Sequence, residues 1–334
     1  MAHLTQRIRQ LLRKHGFLFA LLVAVGLFVA NVIVLPAFVA VDRWDTTLAT
    51  FAPFAILAIA STPAVMTGGG GLDLSIAPSA NLANVVLVNH LLTNSTLASP
   101  WVAIPIVLAI TTAIGLFNGF LVAFFRVSPV VLTVGMLLFL LGLNDHLAPE
   151  PTATTAGWIM GLNGDLGPIP WGLVLIAIPL AIWGLTRLTA FYPMLYFVGG
   201  NQATAFSAGL SVTAVRAAAY GFGGLFAGIG GLAITGVFRA SDPNVGLDYS
   251  LIAVAAVALG GTPLGNGGRG GVIGSLLGAA VIYLLDNLLI VANVPNQWLQ
   301  VAYGGVLIVG ATVGAAMAQA PKTRAKHAAR AAAA

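Results

Sequence analysis

The stretch FLFALLVAVGLFVANVIVLPAFVAV, residues 17–41, carries no charged side chain. A helix crossing the hydrocarbon of a bilayer needs about 20 mostly apolar residues, and there it pairs its backbone groups within itself. A basic stretch precedes this run, as in a secretory signal. The run exceeds the roughly 7–15 apolar residues of such signals, and Pro36 interrupts it only near its far end, so it reads as a first membrane span. The remainder of the chain repeats the pattern. Of 334 residues, 59% are hydrophobic and 7% charged, against about 25% charged in ordinary soluble domains. A soluble fold of this length could not cover its surface with so few charges, so the solvent is lipid.

Working outward, apolar segments predict spans near 17–39, 48–66, 75–92, 100–123, 129–147, 171–189, 214–236, 247–262, 270–288 and 297–317. The expected fold class is therefore all-α, a polytopic membrane protein of about ten transmembrane helices. The formal charge is +5, yet eight of the fourteen Lys and Arg lie in the two tails. Arg7, Arg9, Arg13 and Lys14 precede the first span, and Lys322, Arg324, Lys326 and Arg330 follow the last. The positive-inside rule then predicts both termini in the cytoplasm, which requires an even number of spans. Internal charges agree: Arg126, Arg187, Arg216 and Arg269 fall in connections placed inside, and Asp145, Glu150, Asp165, Asp242 and Asp248 fall outside. Arg43 and Arg239 break the rule, each beside acidic residues. Because the basic residues do not cluster on one folded face, no nucleic acid is expected as a partner. The absence of cysteine excludes disulfides and thiolate metal sites.

This division gives a basic cytoplasmic tail over 1–16, a single transmembrane domain over 17–317 and a second basic tail over 318–334. The longest external connection, about 145–170, is rich in Pro, Gly and Thr and carries Trp158 and Trp171, which suit a membrane interface. The longest internal one, about 190–213, is polar. Neither is long enough to bury a core, and both are natural docking surfaces. One internal similarity stands out. Residues 57–92 and 252–289 both read as apolar helix, Thr-Pro (Thr62-Pro63, Thr262-Pro263), glycine-rich break and second helix. They end with Asn89 before Leu91-Leu92 and Asn287 before Leu288-Leu289. A parallel internal repeat would explain this; so would shared composition.

Three motifs could carry function. In Thr67-Gly68-Gly69-Gly70-Gly71-Leu72-Asp73-Leu74-Ser75 the glycines break the helix, since each costs about 1 kcal/mol relative to Ala. Asp73 then stands beside a new helix start, where a carboxylate is stabilised. It serves as a cap, faces a water-filled path or touches substrate. In Gly115-Leu116-Phe117-Asn118-Gly119 the glycines four apart make a small face for close helix packing, with Asn118 beside it; lining a pathway is the alternative. In Tyr196–Val212 the residues Gly199, Gly200 and Asn201 open a short Ala-rich helix containing Gln202 and Ser207, and Gly209 closes it. Such a helix could fill a partner's groove or be a plain surface turn.

Catalysis is disfavoured. The only lysines lie in the tails, so no phosphate-binding G-x-x-x-x-G-K-[ST] loop exists. His90 and His146 stand alone in the sequence, without the adjacent groups a nucleophile needs. Ion-coupled transport usually needs intramembrane ionisable groups, and only Asp73 and Asp286 qualify. The chain thus reads as lacking an engine of its own.

The stretches Gly68–Ser75, Gly115–Gly119, Tyr196–Val212 and Ala255–Gly278, with its Leu259-Gly260-Gly261-Thr262 core, together resemble the membrane permeases of bacterial sugar ABC importers, the ribose, xylose, arabinose and galactoside group. The similarity covers roughly residues 15–315. The resemblance implies a dimer, with a second copy or a related permease, in the bacterial inner membrane. A periplasmic sugar-binding protein would deliver a monosaccharide, and a cytoplasmic ABC ATPase would use ATP and Mg, with no cofactor or metal on this chain. It maps Gly199–Gly209 onto the ATPase-coupling loop, and leaves Gly68, Gly69, Gly70, Gly71, Asp73, Ser75, Asn118, Gly260, Gly261 and Thr262 as residues of the translocation path or of a helix break. Two departures exist: Gln, Ala, Thr and Phe replace charged residues at 202–206, and Pro263 follows Thr262 where serine is common. Permeases for branched-chain amino acids, nucleosides or autoinducer-2 share much of the pattern, and a channel or secondary carrier is the alternative from another class.

Overall fold

The computed structural model describes residues 17–312 apart from Asn266, Asn296 and Ala311. Both predicted tails, with their eight basic residues, lie outside the described residues, as does the end of the last expected span. The described chain is mostly helical. Its helices are α1 (Phe17–Val34), α2 (Trp44–Met66), α3 (Ile76–Val86, continued by a π turn over Leu87–Leu91), α4 (Pro100–Phe124), α5 (Pro129–Leu147), the single turn α6 (Gly157–Gly161), α7 (Trp171–Thr186), α8 (Phe191–Gly200), α9 (Gln202–Ser207), α10 (Val212–Phe238), α11 (Val245–Leu259) and α12 (Val272–Val291). Residues 297–310 are helical too.

Local chemistry sets several boundaries. Pro36 cannot donate a backbone hydrogen bond, so α1 ends at Val34, short of the expected residue 39, and 3₁₀ turns over Pro36–Val39 and Val41–Arg43 lead into α2. Ser99-Pro100 and Ser128-Pro129 open α4 and α5 with proline in the first turn. The Ser211 hydroxyl accepts from the Ala214 N–H and starts α10 at Val212. That start places Arg216 inside a helix, where it is buried, and not in a connection as its charge suggested.

Among the described residues, six helices are long and apolar enough to cross a membrane: Phe17–Val34, Val41–Met66, Pro100–Phe124, Pro129–Leu147, Val212–Phe238 and Val272–Val291. Counting α7 and α8 as one span bent by 83° makes seven. The shorter α3 and α11 have a physical reason for their length. Ten of the eleven residues of α3 are buried, and α11 is buried from Ile252 to Leu259. Backbone shielded by protein need not span the hydrocarbon in one unbroken helix. α1, by contrast, turns Leu22, Val25, Phe28, Val29 and Ile33 outward. It is held to α12 by Asn31, whose Nδ2 donates to the Leu284 carbonyl at 2.9 Å.

α10 is the central element and packs on α4, α2 and α3. The contact is nearly backbone to backbone. A Cβ added at Gly115 would lie 2.3 Å from the Tyr220 carbonyl oxygen, at Gly119 2.7 Å from the Ala217 Cα, and at Gly224 2.2 Å from the Thr111 carbonyl oxygen. A Cβ at Gly223 would lie 2.9 Å from the Ala60 carbonyl oxygen on α2, and one at Gly231 2.4 Å from the Ala80 carbonyl oxygen on α3. Without a hydrophobic driving force between helices in lipid, such close approach supplies the dispersion contact that holds them.

At the C-terminal end of α10, Arg239 in the left-handed conformation stops the helix. There Thr152–Ala153 (β1) pairs antiparallel with Ala240–Ser241 (β4), and Asp165–Leu166 (β2) with Ile169–Pro170 (β3). These two-residue ladders are the small exceptions to the all-α expectation. α3 anchors the 240–243 segment through an asparagine ladder. Asn81 Nδ2 donates to the Pro243 carbonyl at 2.9 Å, Asn84 Nδ2 to the Ala240 carbonyl at 2.9 Å, and Asn89 Oδ1 accepts from the Ser241 hydroxyl. The 145–170 and 237–248 connections therefore form one surface. The N-terminal end of α10, about 40 Å away at 1.5 Å per residue, adjoins α9 and the glycine breaks.

The helix–break–helix order recurs in 44–91 and 245–291, but the two pairs pack differently. α11 and α12 lie close, with Gly260 against Gly274 and Gly278 against the Ala256 carbonyl. α2 and α3 diverge from their break, and α10 fits against both.

Gly224→Val should lower the thermal midpoint of the detergent-purified chain, reflecting a loss of about 1–3 kcal/mol from overpacking. Gly135→Ala, where no atom stands within 4 Å of the added carbon, should leave the midpoint unchanged or raise it.

Candidate functional site

The sequence between α2 and α3 cannot stay helical through four glycines. Gly68, Gly69 and Gly70 take φ of 71°, 61° and 71°, a left-handed run that costs L-residues roughly 1–2 kcal/mol each. The tight turn closes with Gly71 N donating to the Gly68 carbonyl and Leu72 N to the Gly70 carbonyl. Freed from the helix, the Met66 carbonyl accepts from Gly268 N at 3.0 Å. This bond ties the first break to the second, 260–271.

The 190–213 connection enters the same junction. It holds α9 (Gln202–Ser207), the short helix that one reading of its sequence placed after Asn201, and before it a helix that was not expected, since α7 ends at Thr186 and α8 turns away by 83°. Asn201 caps α9, its Oδ1 accepting from Thr204 N at 3.0 Å. A Cβ at Gly199 would stand 2.0 Å from the Met66 carbonyl oxygen and 2.4 Å from Gly268 N. One at Gly68 would stand 2.6 Å from the Gly199 carbonyl oxygen, and one at Gly267 2.1 Å from Gly68 N. Three backbones thus interlock with no side chain between them. Gln202 adds a bond from Nε2 to the Thr67 carbonyl at 3.4 Å, and the Tyr196 hydroxyl donates to the Gly270 carbonyl at 2.8 Å.

Of the expected coupling residues, Gly199, Asn201 and Gln202 shape this junction. Gly200 borders Gly268, but a Cβ on Gly200 itself would meet nothing within 4 Å. Ser207 and Gly209 are exposed at the far end of α9, Gly209 with φ of 81°. Among the expected break residues, Gly68 and Gly69 face the junction, Gly70 is open, and Gly71 packs on the Ala64 carbonyl. Gly260 and Gly261 end α11, and the buried Thr262 hydroxyl accepts from Gly271 N at 3.3 Å.

Asp73, Ser75 and Asn118 form a separate cluster beneath the break. Asp73 Oδ1 accepts from Ser75 N at 3.0 Å and from the Ser75 hydroxyl at 2.6 Å, and Ser75 Oγ accepts from Asn118 Nδ2 at 2.9 Å. Asp73 therefore organises the turn into α3, while Asn118 holds it to α4 beside the Gly115/Gly119 face. That face packs against α10, as its spacing suggested. Asp286 lies apart and accepts from the Tyr303 hydroxyl. Among the described residues no three His, Asp or Glu side chains group to hold a metal ion.

Residues to which sequence reasoning gave no such role include Gly267, Gly268, Tyr196, Arg216, which it used only for topology, Tyr220 and the Asn81/Asn84 ladder. The run of glycines at 265–271 was the available signal for the first two. Nothing in the local pattern marks the others, whose partners are far away in sequence.

A family model described as "Branched-chain amino acid transport system / permease component" matches residues 44–311. The chain is 25% identical over 204 residues to the inner membrane ABC transporter permease protein YjfF of Escherichia coli, covering 57% of this chain and 60% of that protein. It is 30% identical over 171 residues to the ribose import permease protein of Escherichia coli, covering 48% and 51%. It is 27% identical over 264 residues to the autoinducer 2 import system permease protein of Yersinia enterocolitica, covering 76% and 69%. The matches thus span about half to two thirds of these relatives' length. No solved structure matches the chain.

Gly199→Ala should lower the thermal midpoint by the equivalent of about 1–3 kcal/mol, because backbone on two sides must shift. Gly200→Ala, placed in open space, should not. Equal behaviour of the two variants in thermal unfolding would contradict the interlocked junction.

Proposed function

The chain belongs to the permease family whose model it matches over residues 44–311, and from that premise we propose that it is the transmembrane subunit of an ABC importer for a monosaccharide. It is a multi-pass membrane protein, placed in this reading in the bacterial inner membrane. A periplasmic binding protein delivers the sugar, and a separate cytoplasmic ATPase supplies the energy with ATP and Mg, neither held by this chain. Counting the short inner helices α3 and α11 and the helix at 297–310, the reading takes ten spans, both ends in the cytoplasm, and a second copy or related permease to complete the path.

One observation carries the reading: the connection that holds α8 and α9 meets both glycine breaks backbone to backbone at Gly199, with Gln202 and Tyr196 adding side-chain bonds to them. Force applied to α9 by a nucleotide-driven ATPase would pass through Gly199 to the end of α2 and to the 267–271 segment. The helices flanking both breaks would then shift together between outward and inward openings, with Gly68–Gly70 and Gly260–Gly261 as hinges. At the other end, the β1–β4 pairing supports treating 145–170 and 237–248 as one docking surface for the binding protein. Substrate choice then rests chiefly with that protein.

A second reading, import of an autoinducer-2-like solute, is favoured by the Yersinia enterocolitica permease, of which the match covers 69%. Uptake of ribose, galactose and autoinducer-2 by otherwise identical vesicles distinguishes the two.

Proteoliposomes holding the chain with its ATPase and binding protein should import sugar only when both partners and ATP are present. Uptake by the chain alone, without ATP, would instead establish a channel or secondary carrier.

A further inference from the structure

Among the described residues, Asp73 and Arg216 are the charged side chains that the bundle buries, at 2% and 7% exposure. Each retains unsatisfied capacity. Asp73 Oδ1 takes both Ser75 donors, while Oδ2 is buried without a hydrogen-bond partner. Arg216 Nε and Nη2 and the hydroxyl of the fully buried Tyr220 make no hydrogen bond of ordinary geometry, although the guanidinium and the hydroxyl lie close enough to interact. Ions that leave water are strongly disfavoured unless an opposite charge or hydrogen bonds compensate them.

The packing brings these groups to one place. Asn118, bonded to Ser75 beside Asp73, lies between Gly115 and Gly119 on α4. Against those two glycines α10 presses the Tyr220 carbonyl and Cβ. Arg216 precedes Tyr220 by four residues, so both lie on the same face of α10. The Tyr220 hydroxyl is within electrostatic reach of both the Asp73 carboxylate and the Arg216 guanidinium.

We propose that Arg216 is the charge partner of Asp73, with the Tyr220 hydroxyl bridging them, and that this unit positions the first turns of α10 against the Gly68–Ser75 break. Asp73 then does more than cap α3, and Arg216 is a positioning residue where its charge alone suggested a cytoplasmic topology marker. The unit joins the helix that leaves the 190–213 connection to the break that the same connection touches at Gly199. Only this consequence rests on the transport reading; the pairing itself rests on packing.

The test is a double-mutant cycle on the full chain, read as the thermal midpoint in detergent and needing no partner protein. Asp73→Asn and Arg216→Met should each lower the midpoint, and the double variant should recover at least half of the larger single loss, because neither charge is then left alone. Arg216→Lys should retain more than Arg216→Met. If a single variant yields no monodisperse protein, recovery of the monodisperse peak by the double variant gives the same support. Additive losses would overturn the pairing. In a Tyr220→Phe background the non-additivity should shrink by half or more; if it persists undiminished, the bridging role of Tyr220 is wrong. Failure of the cycle leaves ATP-dependent uptake by the wild-type chain untouched, and absence of uptake leaves the cycle untouched, so the two readings fail separately.

Discussion

Gly199 packs so tightly between the Met66 carbonyl and the Gly268 amide that a single added carbon would stand 2.0 Å from one and 2.4 Å from the other. Backbone therefore meets backbone directly at this point, and backbone at a helix break has two requirements. It must find hydrogen-bond partners away from water, as Met66 does in Gly268, and it must accept positive φ, as Gly68–Gly70 do. Glycine meets both, so one residue type serves as hinge and as contact. The same economy builds the bundle, where α10 lies against α4, α2 and α3 through glycines facing carbonyls.

The two ends of α10 are treated differently. At its C-terminal end side chains dominate: Asn81, Asn84 and Asn89 on α3 fasten the segment that pairs with β1. Each amide offers a donor to a carbonyl or an acceptor to a hydroxyl, giving a firm surface at one side of the membrane. At its N-terminal end the joint is glycine backbone, supplemented by Gln202, Tyr196 and the buried Asp73 cluster. A side-chain-anchored surface and a glycine-hinged junction, joined by one long helix, suit a molecule that receives cargo at one face and motion at the other.

Much of this was legible in the sequence, for physical reasons that differ by element. The long apolar run at 17–41 pointed to lipid as the solvent, and the apolar segments near 100–123 and 129–147 matched α4 and α5 to within a residue. The glycine run at 68–71 located the break, and Asn201 located the cap of α9. The four-residue spacing of Gly115 and Gly119 gave a packing face without naming its partner. What escaped depends on contacts between distant segments. The 83° turn from α7 into α8 follows from packing, so 190–213 read as a polar connection holding only one short helix or a surface turn. Gly199 and Gly200 are identical in sequence, and only the position of Met66 and Gly268 makes one intolerant of a side chain and the other not. Arg216 looked like a topology marker because a lone arginine near a helix start usually is one; only the fold shows it buried. Periodicity counted α3 and α11 as spans of ordinary length, whereas their enclosure by neighbours lets them be short.

If motion passes through Gly199, α9 and the second glycine break move as one body. The chain has no cysteine, so cysteines introduced at the exposed positions Ser207 and Arg269 can carry a pair of spin labels without background. Pulsed electron resonance on the assembled complex, with and without a trapped nucleotide, reports their separation. This distance should stay constant while the distance from Ser207 to a label on the 145–170 connection changes between the two states. A change in the Ser207–Arg269 distance with nucleotide would contradict it.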